Sequence, residues 1–268
     1  MSTTSLPTLK QRLARGEIIR AITLVTPNVE TAAHVATLGF DVLWVEMEHS
    51  PITLESLRSI VLATHRRPAV VLARVPVNEL WTAKRVLDQG VAGVIFPFVR
   101  TGDDARRAAA ACRYPPTGCR GSGAGLALTT WPHAGAYYDS ADEHVITVAV
   151  VEDAAAVDAI DDIAATPGID VVFIGTSDLA FSFGCRGDHT APVVERAIDK
   201  IVAAAQRHGK PLGRPAATPQ QITEGTARGF QFFQTVTELG LMTRGAAAFL
   251  ERTGAEGLPP TISPRPMY

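Results

Sequence analysis

Cysteine is scarce in this chain: Cys112, Cys119 and Cys185 are the full set, and none stands at a spacing that pairs thiols around a metal. An odd, scattered set excludes a disulfide framework and predicts free thiols, buried or partly buried, in a reducing cytosol. Lysine is scarce too, with only Lys10, Lys84, Lys200 and Lys210. Of these only Lys210 adjoins a strand-like run, at its beginning, which argues against Schiff-base chemistry. Charge of neither sign dominates, with 25 basic against 27 acidic residues and a net charge of -2. That balance leaves no electrostatic footprint for nucleic acid or an anionic membrane. No run approaches the roughly 20 apolar residues that a membrane-spanning helix needs. The opening MSTTSLPTLKQRLARGEII lacks the apolar core of a secretory signal and is expected to form a short amphipathic helix.

What the 268 residues do contain is alternation. Short β-branched runs read as strands at 19–25, 41–46, 69–74, 92–97, 145–152, 170–175, 210–214 and 230–235. Ala-, Leu- and Arg-rich stretches with helical spacing lie between them, near 29–38, 53–65, 79–88, 101–112, 153–165, 190–208 and 218–228, with a last one at 237–253. Thr53, Asp153 and the Thr218-Pro219 pair supply helix starts. Eight strands, each followed by a helix, predict a single α/β domain over 1–268, a closed (β/α)₈ barrel. A doubly wound open sheet is the runner-up, weakened because TPNVET, not a glycine-rich fingerprint, follows the first strand. Residues 113–143 form a long Gly- and Pro-rich insertion, and a Pro-rich tail begins near residue 254.

In a barrel of this kind the reaction centre is assembled at the C-terminal ends of the strands. Here those ends carry charge while the strand bodies carry almost none: Glu46 with Glu48 and His49, then Arg74, Glu152, and Asp178 in GTSD. Each has a plain structural reading by itself. Glu152 can favour the next helix N-terminus, Asp178 can cap a helix, Arg74 can serve a structural ion pair, and His49 can be an idle loop histidine. Convergence on one rim is what favours chemistry. Glu152 and Asp178 offer hard oxygen ligands suited to Mg²⁺ or Mn²⁺. Arg74 can neutralise an enolate, His49 can move protons, and the backbone of GTSD can cradle a carboxylate. Together these describe enolisation of a 2-oxo acid.

The segments GFDVLWVEMEH, LARVP, VLDQGVAGVIFPFV, RYPPTGCRGSG, VVE and GIDVVFIGTSDLAFSFG, spread over residues 8–250, resemble the HpcH/HpaI family of class II pyruvate aldolases. The resemblance implies a barrel usually assembled as a hexamer, a trimer of dimers, with a helix exchanged between neighbours. It implies a divalent metal (Mg²⁺, Mn²⁺ or Co²⁺) held by Glu152 and Asp178, and a catalytic His49 with Asp88 as its associated carboxylate. By the same resemblance Arg74 steadies the pyruvate enolate, and Gly175, Thr176 and Ser177 bind the pyruvate carboxylate. Arg120 sits in a family motif with substrate or interface roles both open. The chain departs from the family where Glu46 and Met47 replace Asp and a small residue, and where GTSDLA replaces GPADLS.

The implied activity is metal-dependent, reversible cleavage of a 4-hydroxy-2-oxo acid to pyruvate, or a close 2-oxo acid, and an aldehyde. Oxaloacetate-type decarboxylation, acyl-CoA lyase chemistry and a non-catalytic 2-oxo-acid-binding barrel stay open as alternatives. Phe98, Leu126 and Trp131 are candidates for lining the mouth, although the aldehyde acceptor itself is not legible.

Overall fold

Runs of Val, Ile and Leu buried on both faces form parallel strands, because only a fully covered sheet tolerates apolar residues at successive positions. The computed structural model describes residues 7–132 and 136–253; the Pro-rich tail lies outside them. Its strands are β1 (Ile19–Leu24), β2 (Val42–Glu46), β3 (Val70–Arg74), β4 (Gly93–Phe96), β5 (Ile146–Val151), β6 (Val171–Ile174), β7 (Leu212–Pro215) and β8 (Phe230–Thr237). They pair in sequence order, all parallel, and β8 closes onto β1. The predicted barrel is therefore the observed one, and the open sheet is excluded. No helix among the described residues is long and apolar enough to cross a membrane.

Side chains alternate across a strand, so every second residue faces the barrel interior. The interior is filled by Ile19, Ala21, Val42, Trp44, Leu72, Ile95, Ile146, Val148, Val150, Val171, Phe173 and Phe232. The outward residues join a larger layer packed under the helices. Trp44 is fully buried, with its ring 5.0 Å from Phe173 and 6.5 Å from Phe232. Trp44→Ala is expected to cost about 3–5 kcal/mol, since the interior cannot collapse around the lost ring. Urea denaturation measures this, and a loss under about 1 kcal/mol would contradict the packing described.

The expected helix starts are observed: Thr53 accepts from the Ser56 N–H, Asp153 from Ala155, and Thr218 forms a reciprocal cap with Gln221. The opening segment is indeed a short helix, Leu9–Ala14, whose Leu9 and Leu13 plug the N-terminal end of the barrel. Three expectations need correction. The stretch 153–165 is two short helices, Ala154–Asp158 and Ile160–Ala165, because Ala159 leaves the helical region. The insertion is not all loop: Tyr137–His144 is helical, with Tyr137 and Ala141 buried. The glycines and prolines of its first half hide that short helix from a composition-based reading. Cys112 is buried and Cys185 partly so, but Cys119 is exposed, against the expectation of cover for all three.

Candidate active site

The same alternation that aims Trp44 inward aims Glu46 inward two residues later, at the mouth of the barrel. Arg74 is its register partner on β3, which sets the Arg74 guanidinium 2.6 Å from Glu46 as a close ion pair. Glu46 is fully buried and accepts the N–H groups of Glu48 (2.8 Å) and His49 (3.1 Å), with the Trp44 indole N–H at 3.3 Å. The Ser50 hydroxyl donates to the Glu46 carbonyl. Glu46 thus folds the 46–50 turn and orients Arg74 at once. Glu48 lies 3.3 Å from Arg74 and 3.7 Å from the His49 imidazole, which is about half exposed at 52%.

Glu152 follows β5 and Gly175 follows β6, side by side by continuation of the register Val151↔Ile174. A Cβ at Gly175 would stand 2.6 Å from one Glu152 carboxylate oxygen, so only glycine leaves room there. The other oxygen accepts the Phe98 N–H at 2.8 Å. Burial pushes the Glu152 carboxyl up to about 8, against the pull of the Phe98 N–H and Arg74; Asp178 and Glu48 push it further up. Glu48 is likewise raised, mainly by burial, with Arg74 and His49 opposing and Glu46 and Asp178 adding. Burial alone would depress Arg74, but Glu46, Glu48 and Glu152 hold it above its ordinary value. Arg74, Glu46, Glu48, His49, Glu152 and Asp178 therefore share one electrostatic centre. Because the folded protein holds the Glu152 proton up to about pH 8 while the unfolded chain releases it near 4.5, the metal-free protein should lose stability as pH rises between those values. Thermal melts in chelator across that window test this; a flat profile would contradict it.

Asp178 stands in the first turn of the helix Thr176–Ser182, with Gly175 at its cap. The Gly175 N–H is spent on the Val151 carbonyl at 3.1 Å, so of the three residues predicted to cradle a carboxylate only Thr176 and Ser177 have N–H groups available for it. Thr176 is buried, and its carbonyl meets the His189 ring at 3.2 Å.

Other candidates lie elsewhere. Asp88 ends the helix Leu80–Asp88, which runs back to the N-terminal rim where β4 begins, so it is not beside His49 of the same chain. It pairs there with the fully buried Arg120 at 3.2 Å, which also donates to the Tyr137 hydroxyl at 2.9 Å and stacks over Tyr114. Leu126 and Trp131 belong to the same insertion: Arg58 ties the Leu126 carbonyl to that of Gln89, next to Asp88, and Trp131 packs on Tyr137 and His144, ahead of β5. Phe98, in contrast, stands at the mouth beside Glu152. A cavity of about 560 Å³ at the N-terminal rim contains Lys10 and Lys210, but Lys10 is bound to Asp170 and Lys210 to the Thr166 and Ile169 carbonyls. Sequence reasoning missed Glu238, which directly follows β8 as the first residue of the last helix and is buried. It accepts the N–H groups of Val25 (2.9 Å) and Thr26 (2.8 Å), pinning the loop after β1 to the mouth. The same search for charge at strand ends, extended to the last strand, would have found it.

Could this donor set hold a divalent cation? Among the described residues no three His, Cys, Asp or Glu side chains form a ready metal cage. A cation here would complete its shell with water and substrate, as Mg²⁺ commonly does. The hard-oxygen donors and the buried, proton-retaining Glu152 carboxyl both fit such an ion.

The model of the HpcH/HpaI aldolase/citrate lyase family matches residues 24–243. The chain belongs to that family. The 5-keto-4-deoxy-D-glucarate aldolase of Klebsiella pneumoniae is 36% identical over 206 residues, 76% of this chain and 79% of the relative. An HpcH/HpaI aldolase/citrate lyase family protein from Burkholderia cenocepacia superposes with a TM-score of 0.85 at 31% identity, covering 92% of this chain and 99% of the other. The citrate synthase SbnG superposes with a TM-score of 0.82 at 27% identity, covering 92% and 97%. The HpcH/HpaI assignment thus rests on motifs, fold and relatives that agree.

Proposed function

We propose that the chain is a divalent-metal-dependent aldolase, a carbon–carbon lyase that reversibly cleaves a 4-hydroxy-2-oxo acid to pyruvate, or a related 2-oxo acid, and an aldehyde. One observation carries this reading: a single buried guanidinium, Arg74, sits among Glu46, Glu48 and Glu152, with Asp178 acting on the last two. Burying that many carboxylates beside one guanidinium is costly unless protons are retained, as Glu152 retains its own, or a further cation displaces them. Glu152 and Asp178 are the residues that would hold Mg²⁺, Mn²⁺ or Co²⁺, and such an ion, when bound, polarises the substrate's 2-oxo group.

The chain's own groups do the rest. Arg74, fixed by Glu46, neutralises the enolate oxygen as charge develops there. The His49 imidazole, beside Glu48 and open to the mouth, moves a proton to or from the acceptor oxygen. Thr176 and Ser177 direct their N–H groups toward the 2-oxo acid's carboxylate. The Klebsiella aldolase supports a hydroxylated, acidic aldehyde product, since its named substrate is a keto-deoxy sugar acid. Two small-molecule partners thus account for the site, with no nucleic acid or membrane.

Asp88 can serve His49 only from a neighbouring copy. A homo-oligomer, a hexamer with helix exchange, accords with the last helix, Glu238–Arg252, which buries only Glu238 and leaves Leu239, Met242 and Phe249 exposed. Free cysteines accord with a cytoplasmic setting.

Deuterium exchange at the pyruvate methyl group tests the reading. Incorporation is expected in the presence of Mg²⁺ or Mn²⁺ and not in chelator; a metal-loaded sample that leaves the methyl protons in place over hours would sink it. The likeness to SbnG favours a second reading, enolate condensation of the citrate-synthase kind. Oxaloacetate consumption that requires an added acetyl thioester and releases its free thiol, without aldehyde release from 4-hydroxy-2-oxo acids, would select it.

A further inference from the structure

Phe98 adopts left-handed backbone, φ 49°, which among the described non-glycine residues only Arg186 shares. A bulky aromatic residue takes that conformation only where its surroundings impose it. What it accomplishes is visible in the hydrogen bonds of its neighbours. The Phe98 N–H donates to Glu152, at 2.8 Å, and the very next N–H, from Val99, donates to the Val150 carbonyl at 3.1 Å. In extended chain, successive N–H groups point to opposite sides. The relative direction of these two is set by φ and ψ of Phe98 alone, and the left-handed turn brings both to β5. Arg100 completes the attachment: its guanidinium lies over the Phe98 ring at 5.0 Å and donates to Asp153 at 3.2 Å. On the other side of the carboxylate, Gly175 offers room that a Cβ would fill.

We infer that Phe98 is a positioning residue for Glu152: its left-handed backbone occupies one carboxylate oxygen and thereby aims the other toward the Asp178-bearing helix and the cation. This rests on the metal-dependent reading above and assigns to a non-ligating residue control over how tightly the ion is held. A partner that orients a ligand from outside commonly changes metal affinity by ~10–100-fold.

The test is Mn²⁺ affinity of the full-length protein, by electron paramagnetic resonance and calorimetry, for Phe98→Gly, Phe98→Asn, Phe98→Ala and Phe98→Val. Tolerance of left-handed backbone falls in that order, whereas side-chain size does not. Affinity near wild type is expected for glycine and asparagine, a weaker value for alanine, and a loss of at least ~10-fold for valine. Metal-free crystal structures should show the residue-98 N–H on Glu152 in the asparagine variant and off it in the valine variant. Should the valine variant not fold, alanine against asparagine carries the comparison. Equal affinities across the series, or glycine as the weakest, would overturn the inference while leaving the metal reading intact. A wild-type protein that binds no Mn²⁺ would overturn both.

Discussion

Replacing Arg74 with alanine is expected to slow enolisation of pyruvate by about 10²–10³-fold, the usual cost of removing one donor from a developing oxyanion. It should also destabilise the protein. Arg74 is 5% exposed and stands 2.6 Å from Glu46, so its removal strands a fully buried carboxylate. Breaking such a pair from one side costs about 3–5 kcal/mol. The two effects separate in Arg74→Lys. An ammonium restores the charge facing Glu46 and Glu48, so urea denaturation should recover much of the lost stability. It cannot reproduce the planar fork, so deuterium exchange at the pyruvate methyl should stay slow. Recovery of exchange in the lysine variant would show that charge alone suffices. Unimpaired exchange in the alanine variant would remove Arg74 from the chemistry.

Glu152→Gln should produce two changes of opposite sign. Without the charged ligand, Mn²⁺ affinity is expected to fall by more than ~100-fold, beyond the range seen for groups that merely orient ligands. The metal-free protein should nevertheless be at least as stable at pH 8 as the wild type. Burial holds the Glu152 carboxyl up to about 8, so the folded protein is penalised as that group ionises. A glutamine carries no such penalty, and its amide oxygen still accepts the Phe98 N–H. The decline in melting temperature between pH 5 and 8 should therefore flatten in the variant. Asp178→Asn, in contrast, should lose the metal without removing that decline. Calorimetric titration with Mn²⁺, paired with melts in chelator, reads both quantities. A Glu152→Gln protein that still binds the ion tightly would dismiss Glu152 as a ligand.

Most of the barrel was legible because its rules are local. Strands written as Val-, Ile- and Leu-rich runs, with Thr53, Asp153 and Thr218 as helix caps, announce themselves within a dozen residues. The short helix Tyr137–His144 was not, since its burial depends on the insertion folding back on Tyr114 and Trp131. The site divides the same way. Glu46, Arg74, Glu152 and Asp178 stood out as charges at strand ends, but their division of labour did not. Glu46 spends its carboxylate on backbone and Arg74, which only the β2–β3 register reveals. Asp88 looked like a companion of His49 and is at the other end of the same barrel, because a helix that follows a strand must return to the opposite rim.

The amino-acid sequence by itself determined that this chain alternates strand and helix eight times and places Glu46, Arg74, Glu152 and Asp178 at or just beyond the C-terminal ends of strands. Periodicity and composition act over a few residues, so they survive without coordinates. Tertiary structure decided that the sheet closes, that Gly175 yields space to Glu152, that its N–H is unavailable to substrate, and that Phe98 turns left-handed to hold a carboxylate 54 positions away. Those facts depend on which distant backbone lies alongside, and no local pattern encodes the neighbour.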